Sequence, residues 1–133
     1  MRSTERKAHK AVRRGEKTVL FELMRKKGRP HLTSSVWARA LEQEDALATR
    51  LIQRAVRMMG AALASAINLL DVEAVILGGG LGTRLGAEYA DRIHEAMTPH
   101  VFVLKRQPPV LMAELGELSG ASGAALLAQP PMK

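Results

Sequence analysis

From Leu47 onward apolar residues recur at helical spacing: Leu47, Leu51, Ala55, Met58, Ala62 and Ala66. Ile52, Val56, Met59, Leu63, Ile67 and Leu70 widen the same face. This period predicts one helix of about 25 residues with a broad apolar side, buried at its C-terminal end. Glu44 and Asp45 place negative charge at its start, where the helix dipole favours it. Gly60, Ala61, Ala62 and Ala64 are small enough to let another backbone approach closely. Before this helix the pattern predicts three shorter ones. Residues 3–14 carry a thin apolar stripe of Ala8, Ala11 and Val12. Lys17 to Lys27 turns Val19, Leu20, Leu23 and Met24 inward and stops at Gly28, with Pro30 just beyond. Thr33, Ser34 or Ser35 caps a short helix through Val36, Trp37, Ala40 and Leu41.

After the long helix the period changes. Val72-Glu73-Ala74-Val75-Ile76-Leu77 is aliphatic and nearly continuous, the pattern of a buried strand. It runs into Gly78-Gly79-Gly80-Leu81-Gly82. A helix from about Leu85 to Met97 follows, with Leu85, Tyr89, Ile93 and Met97 inward and Pro99 at its end. Val101–Leu104 reads as a short strand or an ordered loop, Val110–Glu114 as a better strand. A helix over Gly120–Ala128 closes the chain, with Ser119 placed to cap it and Pro130-Pro131 to stop it. The order of helices, strand, glycine turn, helix, strand and helix is an α/β layout with a parallel sheet. It is short of strands, since sheets typically have about five.

Composition narrows the class. The 133 residues, 47% apolar and 25% charged with four aromatics, suit one domain with an aliphatic core. With no cysteine there are no disulfides and no thiolate zinc site. The longest mostly apolar stretch, Met58–Leu70, is interrupted by Gly60, Ser65 and Asn68 and falls short of a membrane span. The basic first residues lack the apolar run of a signal peptide, so the reading is cytoplasmic with no membrane partner. Residues 1–30 hold 11 Lys/Arg and 3 acids, a net of +8, while the remainder holds 9 against 10, a net of −1. The basic arm is read as a solvated helix face rather than a nucleic-acid site, because no aromatics interleave its charges. His9, His31, His94 and His100 form no ligand spacing, so no metal site is assigned.

A strand feeding glycines and then a helix allows positive φ, close backbone approach and free N–H groups for an anion. The dinucleotide fingerprint fails, because Gly80-Leu81-Gly82 is followed by Leu85 and only then Gly86. The phosphate-binding P-loop fails because no Gly-Lys-Ser/Thr follows. The run from Ala61 through Asn68-Leu69-Leu70, the aliphatic strand and Gly78-Gly79-Gly80-Leu81 resembles the ROK family of sugar kinases and repressors. Further on, Ala113-Glu114-Leu115-Gly116 and then Gly120-Ala121-Ser122-Gly123-Ala124-Ala125-Leu126-Leu127-Ala128 resemble that family's ending. Gly15-Glu16-Lys17-Thr18 and the Leu32–Leu41 segment with Trp37 are similar to glucokinase-like members.

The resemblance implies the C-terminal lobe of the actin/hexokinase-like (ribonuclease H-like) ATPase fold, lacking its first strands. On that reading residues 1–133 are a single partial domain, with a basic helical segment at 1–41 and a nucleotide-side α/β core at 45–133. It also implies ATP with Mg²⁺ as the family cofactor. Gly78, Gly79, Gly80 and Leu81 would lie beside the nucleotide, and Gly120, Gly123 and Ala124 near an interlobe hinge. The family's Asp-x-Gly-Gly-Thr phosphate loop, Gly-His sugar motif and cysteine-rich zinc loop are not in this sequence. No catalytic residue is assigned, because phosphoryl transfer needs groups to position the acceptor and to hold Mg²⁺ and the phosphates. The expectation is a truncated glucokinase-like chain, inactive alone, whose unpaired strand edge favours self-association or pairing with a missing N-terminal lobe. Two alternatives stay open: the sugar-sensing half of a ROK repressor, and a small basic nucleic-acid-binding protein.

Overall fold

The computed structural model describes residues 2–102, 107–116 and 119–128. Its elements are α1 (Arg2–Arg13), α2 (Leu20–Lys26), α3 (Ser34–Glu42), α4 (Ala46–Leu70), β1 (Val75–Leu77), α5 (Gly80–Met97), a 3-10 turn at Thr98–His100, β2 (Val110–Met112) and α6 (Ser119–Leu127). The expected α/β order holds, and the two strands pair in parallel with Ile76 opposite Leu111.

Asp45 explains where α4 begins. Its carboxylate accepts from the backbone N–H of Ala48 at 2.8 Å, capping the helix. It also accepts from the hydroxyl of Thr18 at 3.0 Å and the N–H of Val19 at 2.8 Å. One side chain thus fixes the entry to α2 against the entry to α4. In α3, Thr33 occupies the cap position, but its hydroxyl bonds Ser35 at 3.0 Å rather than a helix N–H.

The 25 residues of α4 match the apolar period, and Leu47, Ala48, Leu51, Ile52, Val56, Gly60, Ala64 and Ile67 are buried. The expected burial of its C-terminal end holds as far as Ile67 and fails beyond it, because Leu69 is 82% exposed and Leu70 66%. The apolar side is broader than the surface packed against it, so Met58 and Ala62 also face outward. Among the described residues one hydrophobic cluster runs from Ala8 in α1 through Trp37, Ile52 and Ile93 to Val110 in β2. The basic arm is part of it: Ala8 and Ala11 are buried, and Glu5 accepts from the N–H of Leu32.

Helices α4 and α5 meet at Gly60, where a Cβ would lie 2.6 Å from the carbonyl carbon of Ala96. Beyond α4, Asn68 holds the segment after the 3-10 turn by donating to the carbonyl of His100 and accepting from the N–H of Phe102. Val101 and Phe102 form no strand; the rest of that expected element, and the Ser119 side chain expected to cap α6, lie outside the described residues.

Both strands are shorter than expected. Val72–Ala74 are not in the sheet, and β2 ends at Met112 rather than Glu114. Pro108 and Pro109 precede β2 and have no N–H to donate, so the ladder begins where Val75 donates to the carbonyl of Pro109. Nor is β1 buried on both faces. Val75 and Leu77 pack on the core, while Ile76 is 61% exposed beside Leu111.

Candidate functional site

The chain leaves β1 through Gly78 and reaches α5 with Gly79 at φ +87 and ψ 160, a conformation that favours glycine. The helix then starts inside the glycine cluster, at Gly80 rather than near Leu85, and is interrupted at Gly86. The carbonyl of Gly79 accepts from the N–H and the hydroxyl of Thr83, closing the first turn. The first N–H groups of a helix have no partner within it. Those of α5 belong to Gly80, Leu81 and Gly82.

A Cβ on Gly80 would lie 3.0 Å from the Oγ of Ser34, so the turn sits tightly against the start of α3. On the other side is a cavity of about 330 Å³, lined by Leu77, Gly78–Gly82, Trp37, Ile52, Ala55, Met59, Tyr89 and Thr4. Its size is at the small end of the roughly 300–1,000 Å³ seen for ligand sites. Its walls are mostly apolar, and Trp37, Ile52 and Tyr89 are buried. Burial pushes the Tyr89 phenol above its ordinary value, with the nearby Arg92 charge opposing in part. The indole Nε1 of Trp37 is buried and has no hydrogen-bond partner among the described residues.

The four residues read as nucleotide-binding, Gly78, Gly79, Gly80 and Leu81, therefore share one cavity wall. Gly120, Gly123 and Ala124 lie apart on α6, where a Cβ on either glycine would meet open space. Sequence reasoning placed Trp37, Ile52, Met59 and Tyr89 in core stripes and missed that they also close this cavity. The available signal was the rarity of aromatics: Trp37 and Tyr89 are the only residues of their kinds.

The arrangement offers apolar walls to a flat or apolar group, with the first N–H groups of α5 along one side. Among the described residues no carboxylate lines the cavity, so a Mg²⁺ ion there would have to be held by groups other than these walls. Among the described residues no cluster of three His, Cys, Asp or Glu could hold a metal ion. His9 instead packs on Phe21, with ring centroids 4.5 Å apart, and His31 lies 3.4 Å from Glu5. A larger groove of about 1090 Å³ runs along α1, but it opens to solvent among the cations Arg2, Arg6, Lys7, Lys10 and Arg13.

Residues 16–130 match the sequence model of the ROK family. The chain belongs to the ROK family. It is 32% identical over 91 residues to the N-acetylgalactosamine kinase AgaK of Shewanella sp. (strain ANA-3), covering 68% of this chain and 29% of that protein. It is 35% identical over 81 residues to the bifunctional enzyme NanE/NanK of Brucella melitensis biotype 1, covering 61% of this chain and 15% of the relative. Among solved structures, the ROK hexokinase of Thermus thermophilus superposes with a TM-score of 0.63 at 28% identity, over 94% of this chain and 37% of that one. A protein of Cytophaga hutchinsonii, proposed to be a sugar kinase, gives a TM-score of 0.70 at 23% identity, a likeness of fold alone, over 93% and 40%.

This ROK chain thus spans well under half the length of the relatives it matches. Its sequence and fold are sugar kinase-like, which leaves the reading of an unrelated small basic protein without support. No helix among the described residues is long and apolar enough to cross a membrane.

Proposed function

We propose that these 133 residues form the nucleotide side of the cleft of an ATP-dependent ROK sugar kinase, and that alone they bind nucleotide without transferring phosphate. The observation that carries the reading is the cavity of about 330 Å³ bounded by the Gly78–Gly82 turn at the N-terminus of α5. Glycine there lets the backbone approach a ligand, and the helix end offers N–H donors to its phosphates. The relatives named as sugar kinases support the substrate class, a sugar hydroxyl accepting the terminal phosphoryl group of ATP.

The reading of inactivity rests on chemistry. Phosphoryl transfer requires a group that positions or deprotonates the acceptor and a way of holding Mg²⁺. Among the described residues the cavity walls offer no carboxylate for either task. Those groups would come from the rest of a ROK kinase, with the nucleotide between the two halves and Gly120, Gly123 and Ala124 near their junction. Exposed apolar surface supports such a junction: Leu127 on α6 is 90% exposed, and Ile76 and Leu111 form an uncovered sheet face.

Equilibrium dialysis with ATP tests the site, comparing the natural chain with Gly79→Val, which is strained at φ +87 and places its side chain at the turn. Retention of ATP by the natural chain and its loss in the variant, with the helical circular dichroism unchanged, is expected. A coupled assay with ATP and glucose or N-acetylgalactosamine is expected to show no turnover. Sugar-dependent turnover would refute the inactivity, and equal retention by both chains would refute the site.

A further inference from the structure

We infer that two adjoining grooves beside α1 hold a single-stranded nucleic acid, with the cations of α1 on its phosphates and the His9–Phe21 ring pair under one of its bases. The first groove, of about 1090 Å³, is lined by Arg2, Arg6, Lys10 and Arg13. At successive spacings of four, four and three residues these cations share one helix face, opposite the buried Ala8 and Ala11. All are exposed, and none has an ion-pair partner among the described residues. The acids that line the grooves are engaged elsewhere. Glu5 accepts from the N–H of Leu32 at 3.2 Å, Glu16 pairs with Arg50, and Glu22 pairs with Lys26 at 2.7 Å. The described residues therefore leave the positive charge of this face without counter-charges.

The second groove, of about 460 Å³, adjoins the first at His9 and Arg13 and continues to Lys17 and Arg25. Along the chain no aromatic interleaves the charges of the arm, but the fold brings one in from α2. Where the grooves meet, Phe21 packs on the exposed His9 with the two rings inclined at 41°. A cationic track that carries a stacking platform is what holds a single strand whatever its sequence. In a duplex the bases already stack on one another and leave nothing for the rings to take. An anionic bilayer would offer headgroups to the same cations, but a helix lying in a membrane surface inserts an apolar face, and α1 buries Ala8 and Ala11 in the core. At 1.5 Å per residue, Arg2 and Arg13 are about 16 Å apart along the helix axis, enough to meet several consecutive phosphates.

The test is the fluorescence anisotropy of a labelled oligothymidylate of about 20 nucleotides, titrated with the natural chain, Arg13→Ala, His9→Ala and Arg39→Ala. All three substituted positions are exposed, and alanine suits their helices. Binding by the natural chain is expected to weaken steeply as salt rises. One phosphate contact to a single strand scales with salt to a power of about 0.7. Arg13→Ala is therefore expected to bind about eightfold more weakly at about 50 mM salt and about threefold more weakly at about 200 mM. His9→Ala loses a stacking face, so a loss of about fivefold or more is expected at both salt concentrations. Arg39→Ala removes the same charge as Arg13→Ala, from a guanidinium that pairs with Glu42 at 2.9 Å and lines neither groove, and is expected to bind like the natural chain. The unlabelled strand is expected to displace the probe better than a duplex or phosphatidylglycerol vesicles at equal phosphate concentration. No binding at the lower salt, equal losses in Arg13→Ala and Arg39→Ala, or unaltered affinity in His9→Ala overturns the inference. Displacement by the duplex or the vesicles as strong as that by the strand overturns it too.

Discussion

Replacing Gly60 by alanine tests the tightest joint in the molecule. A Cβ there would lie 2.6 Å from the carbonyl carbon of Ala96 and 2.8 Å from its Cβ and its oxygen. Carbon atoms rest at about 3.5–4.0 Å, so α4 and α5 must separate by about 1 Å to admit the methyl group. The obstacle is the backbone of α5, which has no flexible side chain to move aside. Overpacking of this kind costs about 1–3 kcal/mol, and the rigid obstacle puts this site at the upper end. Alanine returns about 1 kcal/mol through helix propensity. The net expectation is a loss of about 2 kcal/mol, or roughly 6–10 °C in the thermal midpoint for a chain of this size. Thermal and urea melts followed by circular dichroism measure it, with Gly123→Ala as the control. Gly123 also lies in a helix, but its Cβ would meet nothing within 4 Å, so the control is expected to gain stability. A midpoint raised by Gly60→Ala would refute the close packing of the two helices.

Asp45→Ala removes a helix cap and two further hydrogen bonds; a loss of about 2–3 kcal/mol is expected in urea melts, and a loss under about 0.5 kcal/mol would count against the joint. Tyr89 keeps its proton in the native state where the unfolded chain has begun to lose it. Its contribution is therefore intact below the ordinary phenol value of about 10 and is lost as pH rises through the higher native one. As Tyr89 is the sole tyrosine, phenolate absorbance reads it directly; a native midpoint at or below the unfolded one would contradict its burial. The uncovered face made by Ile76 and Leu111 is expected to drive concentration-dependent association in sedimentation, relieved by Ile76→Lys. A natural chain that stays monomeric at every concentration would remove that expectation.

Much of this was legible in the sequence where local physics governs. The apolar period gives α4 almost to its ends, and Asp45 marks its start because a cap needs only its own helix. The strands were overestimated because strand length is set by the partner. Val72–Ala74 have a strand's composition, but opposite them the chain offers Pro108 and Pro109, which cannot donate. The exposure of Leu69, Leu70, Leu126 and Leu127 was equally hidden, because apolar residues announce that they seek cover without saying what provides it. Glycines lower helix propensity, so the start of α5 at Gly80 was masked by the residues that form it. Trp37 was visible only as core; that it also walls the glycine-turn cavity depends on the packing of α3 against α4 and α5.

The central claim is that the Gly78–Leu81 turn is where nucleotide binds, and titrating the isotopically labelled chain with ATP while following its backbone amide resonances tests it most directly. Shifts concentrated at Gly78, Gly79, Gly80, Leu81 and Gly82 are expected. Shifts confined to the cations of α1, or none at saturating ATP, would contradict the claim.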